Sequence, residues 1–130
     1  MISGILFTHG TLGEAFLRTV RRIVGETEGI HSLSSSGKSP RTLAEELEKL
    51  VAAADKKSEK VFVFVGLKGG NPWHVARRVA RERESTVVIS GLNLPMLLSF
   101  ITKRETHPVE ELPEILRKDA IRGIDVWGGE

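Results

Sequence analysis

The sequence predicts an α/β fold, with a mostly parallel, four-stranded, doubly wound sheet and helices on both of its faces. Short apolar runs alternate along the chain with segments of helical periodicity, in the order βαβαβαβα plus one further helix. The run Val61–Val65 is apolar throughout, which is typical of a central strand covered on both faces. A chain of 130 residues without cysteine is long enough to bury a core unaided, so we expect one domain spanning residues 1–130.

The first half of the chain is expected to contain two strands and two helices. Residues 2–7 form an apolar run too short for a helix, which predicts a buried strand. Apolar residues then recur at helical spacing over 12–23, and Gly25 is placed to end that helix. A weaker strand is expected over 29–33. After a serine-rich loop, the serine and proline at 39–40 supply an N-cap and a first-turn proline for the second helix.

The second half repeats this alternation. After the central strand, Asn71 is expected to cap a helix that begins with a proline, and residues 86–90 form the fourth strand. A helix carrying the apolar residues of 96–101 comes next, and a last helix is expected to start within 109–113 and to end near position 121. Residues 124–127 predict a short final strand.

Composition excludes several classes of function. The 19 Lys and Arg and the 17 Asp and Glu give a net charge of +2, their signs are interleaved, and aromatic residues make up 5%. We therefore expect no nucleic-acid partner, because such proteins carry a basic stripe with exposed aromatics. The absence of cysteine excludes thiol catalysis and thiolate metal sites. We find no signal peptide and no apolar stretch of about 18 residues, so a cytoplasmic protein is expected.

Polar or glycine-rich segments follow three of the predicted strands. They are residues 8–11, 66–71 and 90–93. In open parallel sheets the ligand site lies beyond the carboxyl ends of the strands, near the point where the strand order reverses. The side chains that we expect to meet there are those of His9, Lys68, Asn71 and Asn93.

Several familiar sites are excluded by their missing motifs. The chain has no GxGxxG dinucleotide fingerprint, no P-loop and no G-x-S-x-G elbow. Gly66 stands where a response-regulator receiver needs an acidic phosphoacceptor. No two histidines have the i, i+4 spacing of a metal site, and neither a metal nor a cofactor is expected.

The loop of His9 and the Gly-Gly pair are consistent with phosphoryl chemistry. Imidazole is nucleophilic near neutral pH and carries a phosphoryl group covalently. Gly69 and Gly70 allow close backbone approach, and the unpaired N–H groups of the helix after Asn71 bind anions. These residues predict a phosphohistidine pocket. Two other interpretations stay open: a polar loop histidine beside an ordinary turn, and a site for a small phosphate compound or nucleotide.

Three stretches of the chain resemble one protein family. They are residues 4–15 (GILFTHGTLGEA), 69–76 (GGNPWHVA) and 90–98 (SGLNLPMLL). Together they are similar to the mannose-family IIA components of the bacterial phosphoenolpyruvate-dependent sugar phosphotransferase system. The resemblance implies a flavodoxin-like sheet of four parallel strands, with a C-terminal antiparallel strand exchanged across a homodimer.

The resemblance also implies a function. The histidine at position 9 would be the catalytic nucleophile, taking a phosphoryl group from phospho-HPr and passing it to a IIB partner. Such a phosphotransferase component meets the membrane only through the transporter subunits. The residues expected to bind the phosphate are Lys68, Gly69, Gly70 and Asn71. The residues expected to line the site are Thr8, Gly10, Gly66, Gly91 and Asn93.

Gly66 is the one marked departure from the family pattern, because members usually carry an aspartate there, beside the imidazole. A carboxylate that accepts a hydrogen bond from one ring nitrogen fixes the tautomer that leaves the other nitrogen free to attack. Its loss predicts transfer about 10- to 100-fold slower. The alternative is a non-catalytic regulatory or protein-binding module on the same fold.

Three further polar or aromatic residues are expected near this edge of the sheet. Trp73 is assigned to packing or partner contact, and His74 to the surface of its helix. We expect Asn93 to cap the helix that follows it, which is compatible with a hydrogen bond to the first loop.

Overall fold

The computed structural model describes residues 1–129. Its strands are β1 (Ser3–Thr8), β2 (Ile30–Ser34), β3 (Val61–Val65) and β4 (Thr86–Ser90). Its helices are α1 (Leu12–Val24), α2 (Pro40–Asp55), α3 (Asn71–Ala80), α4 (Leu94–Lys103) and α5 (Leu112–Arg122). None of these helices is long and apolar enough to cross a membrane.

The four strands form one parallel sheet in the order β2-β1-β3-β4. This order confirms the predicted doubly wound, flavodoxin-like α/β fold. The chain builds outward from β1 to β2 and then crosses to β3 and β4, so the direction of winding reverses between β1 and β3. That reversal is the switch point at which such sheets open a crevice for ligands.

Two apolar layers cover the sheet. Helices α1, α4 and α5 pack on one face, and α2 and α3 pack on the other. On the first face the rings of Phe64 and Phe100 meet edge to face with their centroids 5.0 Å apart. Gly4 of β1 allows this contact, because a Cβ there would lie 3.0 Å from the Phe100 ring. The residues of β3 are all buried, as predicted, whereas those of the edge strand β4 are half-buried.

The ends of the helices follow the sequence signals with one exception. The Ser39 hydroxyl accepts a hydrogen bond from the Thr42 amide at 3.1 Å, and Gly25 ends α1 in the left-handed region with φ of 86°. The predicted N-cap role of Asn71 is wrong. The carbonyl of Gly70 accepts the first bond of α3, from the His74 amide at 3.1 Å, so the helix starts one residue earlier than expected.

Arg104 fastens the end of α4 to the start of the sheet. Its guanidinium group is buried and donates hydrogen bonds to the carbonyl of Ile2 at 3.1 Å and to the carbonyl of Glu28 at 2.7 Å. The same group lies over the Phe100 ring, 5.4 Å from its centroid. One charged side chain therefore joins three segments that are distant in sequence.

Asp119 fastens α5 to α4. Its carboxylate accepts hydrogen bonds from Lys103 at 2.6 Å, from the hydroxyl of Ser99, and from Arg122 in its own helix. These donors, with Lys103 first among them, lower the pKa of Asp119 to about 2. The ionised carboxylate is therefore the form that the folded chain favours.

Residues 124–129, after α5, form neither helix nor strand in this chain. The final strand predicted over 124–127 is thus absent from the single chain. A segment of four residues needs an edge strand with free hydrogen-bonding groups, and the tail does not return to its own sheet. Its large side chains stay in solvent, with exposed fractions of 70% for Ile124, 91% for Val126 and 90% for Trp127.

Candidate functional site

The structure brings His9 against the start of α3. Strands β1 and β3 are neighbours, so the loops that leave them lie side by side at the switch point. A Cβ built on Gly70 would lie 3.8 Å from Cε1 of His9, so the imidazole packs close to a backbone that carries no side chain. His9 itself is exposed. The exposed ring therefore lies beside the N-terminus of α3.

The backbone around His9 is held by hydrogen bonds on both sides. The buried hydroxyl of Thr8 accepts from the Gly13 amide at 2.9 Å, and the Thr8 carbonyl accepts from the Ser35 amide at 2.9 Å. The amide of Gly10 donates to the Ser36 hydroxyl at 2.9 Å, and Gly10 occupies the left-handed region with φ of 54°. Hydrogen bonds on both sides therefore hold the turn that bears the His9 imidazole.

The start of α3 offers free amide groups for an anion. No side chain caps this helix, and Gly70 precedes it in an extended conformation. The first-turn N–H groups therefore lack intrahelical acceptors, and the helix dipole adds positive potential there. Gly69 adopts a φ of 90°, which favours glycine in the turn that leads to the helix.

The side chains of Lys68 and Asn71 lie on either side of this turn and do not hydrogen-bond to it. Both side chains are exposed, and neither makes a hydrogen bond to any residue within 1–129. Their expected contribution to phosphate binding therefore stays a prediction. A long, mobile cation beside a helix N-terminus acts as a point charge on any phosphate bound there.

Gly66 lies at the end of β3 with open space where a side chain would project. A Cβ built there has only one neighbour within reach, Cδ2 of Leu12 at 4.0 Å, and the backbone of Gly66 is not left-handed. The fold therefore does not require glycine at this position. An aspartate at this position, as the resemblance implies for the family, would therefore change the side chain and not the backbone.

Residues 90–93, the third predicted segment, lie farther from His9 than residues 66–71 do. Asn93 caps α4, as expected, since its Oδ1 accepts from the Met96 amide at 2.9 Å. Its Nδ2 donates to the Ala120 carbonyl at 3.1 Å, so the possible hydrogen bond to the first loop is not formed. Gly91 is exposed in the same turn with φ of 79°. The edge strand β4 stands two strand spacings, about 10 Å, from β1, and this explains the separation.

The loop after β2 lies beside the His9 loop, where we expected the loop after β4. Residues 34–36 contact the His9 loop directly through the hydrogen bonds of Ser35 and Ser36. These residues were not among the predicted site residues, although the signal was available, because a strand over 29–33 was expected in the same parallel sheet. Its carboxyl end must then reach the same side as His9.

The surface around His9 is open. A hollow of about 40 Å³ lies beside the loop, lined by Thr8, Gly10 and Ser34 among others. Pockets that enclose small molecules occupy roughly 300–1,000 Å³. A larger cleft, of about 620 Å³, lies at the opposite end of the strands around Ser3 and His31. His9 itself does not line either of these two cavities.

Comparisons with known proteins agree with this arrangement. The family model described as the fructose IIA component of the phosphotransferase system matches residues 3–116. The chain is 32% identical over 127 residues to the sorbose-specific EIIA component of Klebsiella pneumoniae, covering 98% of this chain and 93% of the relative. It is 31% identical over 108 residues to the mannose-specific EIIAB component of Escherichia coli K12, covering 82% of this chain and 33% of that longer relative.

Solved structures extend the likeness to three dimensions. The phosphotransferase system component EIIA of Streptococcus agalactiae superposes with a TM-score of 0.88 at 25% identity, covering 97% of both chains. The mannose/sorbose-specific IIA subunit of Enterococcus faecalis gives a TM-score of 0.76 at 25% identity, covering 98% of this chain and 96% of that one. With its sheet order, its His9 loop and these relatives, the chain belongs to the mannose-family IIA components of the phosphotransferase system.

Proposed function

We propose that this chain is a phosphohistidine carrier in sugar uptake. In the cytoplasm, His9 accepts a phosphoryl group from phospho-HPr and passes it to a IIB partner. One observation carries the proposal: the exposed His9 imidazole stands on a fixed turn against the uncapped start of α3. Membership of the IIA family supports the phosphocarrier role in general.

The chemistry is a phosphoryl transfer from the donor protein to His9. A ring nitrogen of His9 forms a new N–P bond while the bond between phosphorus and the donor group breaks, and the donor group leaves with that electron pair. The free amide groups of α3 stabilise the charge on the phosphoryl oxygens. Transfer to the IIB partner repeats the exchange with His9 as the leaving group. The open surface around His9 suits a reaction between two proteins.

The second candidate function is a regulatory or protein-binding module that no longer transfers phosphate. Gly66 favours it, because no carboxylate stands at this position to orient the imidazole. The two functions share one fold and one surface. They differ in whether His9 becomes phosphorylated.

We also propose that the chain forms a homodimer by exchange of its C-terminal segment. The open edge of β4 has free backbone groups, and residues 124–127 expose three large apolar side chains. Two-fold symmetry would satisfy both features twice.

The deciding experiment is incubation with phosphoenolpyruvate, Enzyme I and HPr, followed by intact mass measurement. The carrier gains the mass of one phosphoryl group, and His9→Ala gains none. His74→Ala is the matched control, because His74 is an exposed histidine of α3 and its loss should leave the gain intact. An unmodified wild-type chain would reject the carrier and favour the regulatory module. A gain that persists in His9→Ala would assign the phosphate to another residue.

A further inference from the structure

A cleft of about 620 Å³ lies at the amino ends of β1 and β2, beside the last turns of α2. It is separate from the His9 site, because Ser3 at the start of β1 lines it, whereas His9 follows the end of that strand. Its volume falls within the range of roughly 300–1,000 Å³ that small-molecule sites occupy. We call it the amino-end cleft.

The amino-end cleft has an apolar wall. Leu50, Ala53 and Ala54 from the last turns of α2 line it, together with Met1. Ala54 is buried and Leu50 is half-buried, so the wall continues the core that α2 forms with the sheet. A hydrocarbon group that covers such a wall removes apolar surface from water, which favours binding.

Polar groups stand at the base of the amino-end cleft. Ser3 is only 7% exposed, and its hydroxyl is hydrogen-bonded to that of Ser58 at 2.5 Å. In such a pair one hydroxyl donates to the other, so the accepting hydroxyl keeps its own hydrogen for a ligand. His31 pairs with Ile5, which packs in the layer of α2, so the imidazole turns toward the same cleft. The base therefore offers hydrogen-bond donors to a ligand that bears oxygen.

Two opposite charges line the amino-end cleft without neutralising each other. Glu28 lies before β2 and Lys57 follows the end of α2, and both side chains are exposed. Neither takes part in an ion pair within residues 1–129. The backbone of Glu28 is held, since its carbonyl accepts from Arg104 at 2.7 Å and its amide donates to the Glu26 carboxylate at 2.9 Å.

This pair of charges restricts the class of ligand. A simple anion would be repelled by Glu28, and a simple cation would be repelled by Lys57. A ligand that carries both charges on one small molecule meets an opposite charge at each end. The apolar wall adds a third requirement, which is a hydrocarbon group beside the two charges.

We propose that the amino-end cleft binds an α-amino acid with an apolar side chain. The carboxylate of the ligand pairs with Lys57 and accepts hydrogen bonds at the base of the cleft. Its ammonium group pairs with Glu28, and the negative end of the α2 dipole adds to this attraction. Its side chain lies against the apolar wall. The carrier reaction is not involved, so the inference holds whether or not His9 is phosphorylated.

Three matched probes test the ligand class. L-leucine carries both charges, isocaproate lacks the ammonium group, and isoamylamine lacks the carboxylate. Binding is followed through the amide chemical shifts of the isotope-labelled full chain, titrated with each probe over millimolar concentrations. L-leucine should shift the amides of Ser3, His31 and Ser58. It should bind about 10-fold more tightly than either analogue, because each analogue loses one ion pair.

Two variants test the assigned contacts. Glu28→Gln should weaken L-leucine about 10-fold and leave isocaproate no weaker, whereas Lys57→Gln should weaken both and spare isoamylamine. The matched controls are Glu59→Gln and Lys56→Gln, which remove the same charges from exposed neighbours outside the cleft and should leave the affinity unchanged. His9→Ala should bind L-leucine as the wild type does.

Several results would overturn the proposal. The first is a wild-type chain whose amides do not respond to L-leucine, or respond only around the His9 loop. The second is equal binding of all three probes, which would reduce the contact to apolar adhesion. The third is an unchanged affinity in both cleft variants, or an equal loss in their controls, which would assign the effect to net charge.

Discussion

Introducing a carboxylate at Gly66 tests whether this site lacks a component of the transfer machinery. The change Gly66→Asp is suited to this test because its Cβ would meet only Leu12 Cδ2, at 4.0 Å, and the backbone there is not left-handed. The substitution should therefore fold without strain. A change in rate then reports the chemistry of the carboxylate.

The register of the sheet places position 66 close to His9. Phe7 pairs with Val65, so position 66 follows β3 at the level of Thr8, one residue before His9. Neighbouring strands are about 4.8 Å apart, which leaves an aspartate at this position within reach of the imidazole. Carboxylates that orient a functional histidine are worth about 10- to 100-fold. We expect Gly66→Asp to accelerate transfer from phospho-HPr by a factor in that range.

The assay is single-turnover transfer from labelled phospho-HPr, followed by rapid quench at pH values from 6 to 8. Gly66→Asn is the matched control, since its amide accepts a hydrogen bond without carrying charge. We expect it to recover part of the gain. Gly66→Ala should leave the rate near that of the wild type.

Two results would refute this reasoning. A rate for Gly66→Asp equal to or below the wild-type rate would mean that another group, such as a backbone carbonyl, already orients His9. An equal acceleration in Gly66→Ala would assign the effect to a stiffer loop and not to the carboxylate.

Three other predictions follow from contacts in the structure. Ser36→Ala removes the acceptor of the Gly10 amide, so it should slow transfer severalfold. It should lower the free energy of unfolding by less than about 1 kcal/mol. Ser36→Thr keeps the hydroxyl and should preserve the rate. Hydrogen bonds, first of all the one from Lys103, depress the pKa of Asp119 to about 2. The stabilisation that this carboxylate provides is therefore complete above about pH 4 and is lost as the pH falls toward 2. We expect acid unfolding curves of Asp119→Asn to lack about 1–2 kcal/mol of that dependence. Arg104→Met removes the guanidinium group that donates to the carbonyls of Ile2 at 3.1 Å and Glu28 at 2.7 Å. The two carbonyls would lose this partner, so the free energy of unfolding measured in urea titrations should fall by about 2–4 kcal/mol.

The sequence was sufficient for the sheet because its strongest signals are local. The continuous apolar run of β3 required cover on both faces, and parallel strands required the His9 loop and the Gly69-Gly70 turn to meet at one edge. Asn93 was harder to place. Its cap to α4 is local and was predicted, but its second bond goes to Ala120 of α5, whose docking position depends on tertiary packing.

The C-terminal tail shows where the prediction from sequence had to stop. The alternation of Ile124, Asp125, Val126 and Trp127 is visible in the sequence, and it predicts a strand with two unlike faces. The edge that such a strand would pair with is that of β4, which exists only when the sheet forms. Under the proposed homodimer, another molecule would supply the second edge that this strand needs. A strand formed in this way would be a property of the proposed dimer and not of the single chain.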